Sequence, residues 1–93
     1  MSLYLVVAYD IPDDKRRLRV AQVLEGYGER TQFSVFELRL EREHFATLKH
    51  RLKELIKPET DRLSIYFLTP EALKRTIRIG TEEVGKLDEP MLL

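Results

Sequence analysis

The sequence contains no cysteine, no tryptophan and no asparagine, and only two glutamines and two histidines. Without cysteine there is no disulfide framework and no thiolate-ligated zinc or iron–sulfur cluster. His44 and His50 stand six positions apart, which puts them on different faces of a helix, so they are not a metal pair. No apolar run approaches the ~18 residues of a membrane span. The opening stretch from Leu3 to Ala8 is too short even for a secretory signal. The four glycines are scattered and build no phosphate-cradling loop, which removes nucleoside-triphosphate chemistry. These absences leave a soluble, cytoplasmic chain that folds on packing alone. At 93 residues it is one domain, small enough that a second copy would add useful stability.

Net charge is zero, from sixteen basic and sixteen acidic residues, but it is unevenly spread. Asp10, Asp13 and Asp14 make one acidic spot, and Glu82, Glu83, Asp88 and Glu89 against Lys86 make an acidic tail. Residues 15–81 therefore hold fifteen basic and nine acidic side chains, a surplus of six. Ten of the basic residues are arginine, whose planar fork suits phosphate oxygens. A basic body of this kind is compatible with nucleic acid, and also with an ordinary mixed surface. Scarce Asn, Gln and Cys beside abundant Arg and Glu suits heat resistance.

The apolar run 3–9 predicts a central strand buried on both faces. Asp13 is placed to cap a following helix over about 14–27, whose stripe is Val20, Ala21, Leu24 and Tyr27 and which Gly28 stops. Residues 30–40 alternate like a strand but change phase: Phe33 and Val35 share one face, while Phe36, Leu38 and Leu40 share the other. Such a switch predicts a bulge or tight hairpin dividing two strands. Phe45, Leu48, Leu52, Leu55 and Ile56 predict a second helix ended by Pro58, with Lys49, Arg51, Lys53 and Lys57 opposite. A strand follows over 62–69, then a turn after Pro70 and a last small strand, Thr76 to Ile79.

This order predicts an α+β, ferredoxin-like βαββαβ sandwich with an extra C-terminal strand, spanning 1–80 and followed by a tail, 81–93. The uncovered sheet face would carry Tyr4 or Leu5, Phe36 and Tyr66. Their exposure predicts a sheet-to-sheet homodimer.

Asp10 ends an apolar strand and begins the approach to a helix. It is read either as a ligand for a hard cation such as Mg²⁺ or as a helix cap. One carboxylate makes a poor site, but a two-fold axis near the strand end would bring two copies of Asp10 around one ion. Lys15, Arg16, Arg17 and Arg19 crowd the first helical turns, where arginines and amides can hold phosphate. Arg17 is expected to point toward Tyr27 or Gln32. Of Tyr9 and Asp10, alternation turns one inward, and Tyr9 is the expected core residue.

Val7-Ala8-Tyr9-Asp10-Ile11 and Asp13-Asp14, then Arg16-Arg17-Leu18-Arg19-Val20-Ala21, Leu24, Gly28 and Gln32-Phe33-Ser34-Val35-Phe36-Glu37 resemble the small CRISPR-associated endonucleases. These are the second of the two core spacer-acquisition proteins. The resemblance runs through Ile65-Tyr66 to Ile77-Arg78-Ile79-Gly80, about 80 of the 93 residues. It implies a homodimer whose last strand adds to the partner's sheet, and a Mg²⁺- or Mn²⁺-dependent phosphodiesterase site with Asp10 from both chains as metal ligand. By motif position Tyr9, Arg17, Arg19, Arg30, Ser34 and Phe36 would support catalysis. Arg16, Arg17 and Arg19 would bind nucleic acid, with Lys49, Arg51 and Lys53 as a further basic surface. The implied substrates are single-stranded RNA or double-stranded DNA, and the implied partner is the spacer integrase. An alternative role is a non-catalytic DNA-binding bridge between integrase dimers. Met91-Leu92-Leu93 and the residues before them form a candidate docking segment for that partner. Phe33 stands where the family commonly has tyrosine, and Pro12 stiffens the loop after Asp10. An acylphosphatase, the other catalytic reading of such a fold, would require an asparagine and a glycine-rich loop that this chain lacks.

Overall fold

The computed structural model describes residues 2–80. The order is β1 (Ser2–Asp10), α1 (Asp14–Glu25), β2 (Gly28–Gln32), β3 (Val35–Glu41), α2 (Arg42–Leu55), β4 (Arg62–Leu68) and α3 (Pro70–Lys74). The strands form one sheet in the order β2-β3-β1-β4, every neighbouring pair antiparallel. That is the expected split βαβ arrangement. No described helix is long and apolar enough to cross a membrane.

One face of the sheet packs under the helices. Leu5, Val7 and Tyr9 of β1 and Phe36, Leu38 and Leu40 of β3 share a core with Val20, Ala21 and Leu24 of α1 and Leu48 and Leu52 of α2. Register explains the set, since Val7 lies opposite Phe36 and Leu5 opposite Leu38, and cross-strand partners point the same way. Phe36 is therefore fully buried on the helix face, at 0% exposure, and does not belong to the open face where the sequence reading placed it. Leu5 is buried with it. The open face carries Tyr4, Val6, Ala8, Val35 and Tyr66, so β1 is fully buried on one side only and half-buried on the other.

The phase change after residue 30 is a hairpin. Gln32 pairs with Val35, leaving Phe33 and Ser34 as a two-residue loop. Such loops favour turns with positive φ, yet no non-glycine residue here has one. The strand compensates with a bulge at Thr31, where the register slips between Arg30 and Gln32.

Three boundaries differ from the sequence reading. Helix α1 ends at Glu25 with Gly26 as its cap, and Gly28 does not stop it but opens β2. A Cβ on Gly28 would stand 2.3 Å from the Glu37 carbonyl oxygen, so the close approach of β2 to β3 requires glycine. The turn after Pro70 is the short helix α3, capped by the Thr69 hydroxyl. Thr76 to Ile79 forms no strand in the single chain, and the sheet's two edge strands, β2 and β4, are left unpaired by it. Arg78 instead reaches Glu37 on β3 (2.6 Å), while Ile77 and Ile79 stay 80% and 94% exposed. The tail and its proposed docking segment lie outside the described residues.

Candidate functional site

Asp10 is the last residue of β1 and is exposed on the open side of the sheet. Its cap role falls away: the helix cap is Asp13, whose carboxylate accepts from the Arg16 backbone N–H at 2.8 Å. Asp10 lies opposite Arg62, the first residue of β4, without an ion pair between them. The strand thus delivers an uncommitted carboxylate at the sheet's end. A hollow of about 800 Å³ lined by Ser2, Gln22, Arg39, His44 and Arg51 lies at the other end of β1, far from it.

Tyr9 turns inward, as expected, and is 6% exposed. Its ring stacks on Phe36 with centroids 6.3 Å apart, and its backbone N–H donates to the Ser34 carbonyl at 3.1 Å. The phenol hydroxyl is buried without a partner. Burial pushes its pKa up, and the nearby Arg30 and Arg17 oppose that rise while Glu25 adds to it. Arg30 holds its guanidinium over the Phe36 ring (5.3 Å) and pairs with Glu25 at 3.0 Å. Tyr9, Phe36 and Arg30 thus form a stack on the helix side directly behind Asp10. Ser34 joins the corner through its backbone.

The arginines of α1 divide by partner. Arg16 makes a two-pronged bond to Asp61 and is committed to the fold. Arg17 does not reach Tyr27 or Gln32. It turns back to donate to the Ile11 carbonyl (2.8 Å) and to pair with Asp14, bracing the loop that follows Asp10. Asp13 occupies the helix amides and Asp14 adds charge there, so this helix start repels anions instead of holding them. Arg19 remains exposed and without an ion pair among the described residues. Lys49, Arg51 and Lys53 line the exposed side of α2.

Among the described residues no group of three or more His, Asp or Glu comes together to hold a metal ion. Asp10 is exposed, with neither a helix amide nor a cation on its carboxylate. That suits Mg²⁺, which keeps most of its waters and uses one or two carboxylates, provided a second chain supplies the other.

Residues 1–76 match the family of CRISPR associated protein Cas2. The chain belongs to the Cas2 family. A CRISPR-associated endoribonuclease Cas2 of Thermus thermophilus is 57% identical over 89 residues, covering 96% of this chain and 95% of that protein. The crystal structure of Streptococcus pyogenes Cas2 at pH 6.5 superposes with a TM-score of 0.74 at 33% identity, covering 83% of this chain and 99% of that one. A chain from a partial Cas6-RT-Cas1–Cas2 complex gives 0.70 at 25% identity, covering 91% and 99%. Within this Cas2 fold, sequence reasoning singled out Asp10 and missed two neighbours of consequence. Arg62 reaches the site only through the pairing of β4 with β1. Asp61 anchors Arg16 from forty-five residues away.

Proposed function

We propose that this Cas2 chain acts as a homodimeric, metal-dependent nuclease in CRISPR spacer acquisition, alongside the spacer integrase. The observation that carries the reading is Asp10: exposed, aimed to the open sheet side, and neither capping a helix nor neutralised by a cation. Two-fold pairing across the open face brings two such carboxylates together and covers Tyr4, Val6 and Tyr66. Mg²⁺ or Mn²⁺ held there would activate water and offset charge on the phosphodiester oxygens. Within the chain, Arg17 fixes the Ile11–Pro12 loop beside Asp10, Arg19 contacts the phosphate backbone, and the Tyr9–Phe36–Arg30 stack keeps the strand end rigid. Single-stranded RNA and double-stranded DNA are the substrates to compare.

The test is cleavage of labelled RNA and duplex DNA in Mg²⁺ or EDTA by wild type and Asp10→Ala, both first shown to be dimers. Metal-dependent cutting lost in the variant is the expected result. Equal cutting by the variant would overturn the site. The second reading, a non-catalytic DNA-binding bridge for the integrase, is favoured by the likeness to a chain from a Cas1–Cas2 complex. It requires duplex binding without cutting by a well-folded dimer.

A further inference from the structure

We infer that the hollow at the start of β1 is a second nucleic-acid contact, in which Arg39, His44 and Arg51 hold backbone phosphates. The inference rests on the reading that this chain handles nucleic acid, but it concerns a surface remote from Asp10. Ser2 on the rim of the hollow and Asp10 stand at opposite ends of β1, about 27 Å apart along an extended strand. Three elements meet there. Gln22 comes from α1, Arg39 from β3, and His44 and Arg51 from α2, around about 800 Å³. His44 and Arg51 are seven residues apart, close to two helical turns, so one flank of α2 presents both.

The partners of the arginines single this place out. Arg16, Arg17, Arg30 and Arg78 are matched by Asp61, Asp14, Glu25 and Glu37. Arg39 and Arg51 have no ion pair among the described residues, yet both line the same hollow. Like charges drawn to one place repel unless an anion lies between them. The one acidic side chain of the lining is Glu41, which accepts from the Ser2 hydroxyl at 3.0 Å and interacts with His44. It leaves the two guanidiniums in surplus. The Arg39 guanidinium lies over the Tyr4 ring, 5.5 Å from its centroid, which fixes the fork and leaves its N–H edge for an oxygen ligand.

Exposure decides the class of ligand. Arg39, His44 and Arg51 are all exposed, and an exposed ion pair contributes little on its own. A lone phosphate would therefore be held only above about 1 mM. A chain of phosphates gains with each contact and with each counterion released, which makes a nucleic-acid backbone the occupant. Such contacts carry no sequence information, so the hollow holds strands of any sequence.

The test is binding of duplex and single-stranded oligonucleotides of unrelated sequence across a salt series, in EDTA so that nothing is cut. Arg51→Ala and Arg39→Ala should each weaken binding at least about threefold and lower the salt slope by about one unit. Arg51→Lys keeps the charge and should keep the slope. Arg51 lies on the helix side of the sheet, so its variant should remain a dimer by sizing, with Tm within about 1 °C of wild type. In cleavage assays Arg51→Ala should raise KM and leave kcat unchanged. Inorganic phosphate, followed by NMR at the Arg51 Nε–H, should saturate only above about 1 mM. Wild-type affinity and slope in both alanine variants, or saturation by inorganic phosphate at micromolar concentration, would overturn the inference. If Asp10→Ala cuts as wild type while Arg51→Ala still loses affinity, the nuclease reading fails and the hollow stands.

Discussion

Arg16 and Asp61 form a two-pronged ion pair, Nε to Oδ2 at 2.6 Å and Nη2 to Oδ1 at 2.9 Å, that ties the start of α1 to the loop before β4. The Asp61 side chain is fully buried and also accepts from the Lys57 backbone N–H and the Thr60 hydroxyl. The Arg16 bond, helped by these donors, holds the Asp61 carboxyl well below the usual carboxylate range against the opposing effect of burial. A depressed folded-state pKa contributes stability above the unfolded value, ~3.9, and loses it as pH falls below that value. Asp61→Asn should lower Tm at pH 7 by at least about 5 °C, and its deficit should shrink below pH 4. A Tm gap that stayed constant from pH 7 to pH 2 would refute the linkage.

Tyr9 carries a buried hydroxyl with no partner, and an unsatisfied polar group costs about 1–3 kcal/mol. Tyr9→Phe keeps the ring stack on Phe36 and removes that cost. Denaturant melts should show it as stable as wild type or more so. If the same variant loses cleavage, the hydroxyl serves chemistry at the expense of the fold.

Gly28→Ala places a methyl against the β3 backbone, which cannot swing aside as a side chain can. The edge strand must then shift, at a cost of about 1–3 kcal/mol. Hydrogen exchange should report the loss first at Gly28–Gln32, while β1 and β4 stay protected.

Arg19 and Arg16 should separate binding from folding. Arg19→Ala should leave Tm within about 1 °C of wild type and reduce the salt slope of duplex binding by about one unit. Arg16→Ala should do the reverse, lowering Tm through the stranded Asp61 carboxylate. A large salt-slope change in Arg16→Ala without a Tm change would reassign it to the interface.

The architecture was legible because its signals are local: helical stripes at Val20–Leu24 and Leu48–Leu52, and the phase break after residue 30. The inward turn of Tyr9 followed from alternation beside Asp10. What alternation could not supply was which phase of β3 faces the helices, since Phe33–Val35 and Phe36–Leu40 are both apolar sets. Pairing with β1 decides it, and Phe36 went to the core. The fate of Arg16 was equally out of reach, because its partner lies in a distant loop. So was the irregular course of Thr76–Ile79, whose β-like composition docks on neither open edge of its own sheet, β2 or β4.

The bulge at Thr31 works like a one-letter insertion in a reading frame. Upstream of it, Gly28 and Arg30 share the helix side with Leu38 and Phe36; downstream, Gln32 is thrown to the side of Val35. Deleting that one residue would close the ladder into an unbroken register, with Arg30 still opposite Phe36, Gly28 still opposite Leu38 and Gln32 still opposite Val35. A surface hairpin ordinarily tolerates changes in length. This one can lose its bulged residue with every cross-strand pair kept, and the Arg30–Phe36 stack beside it inherits that tolerance.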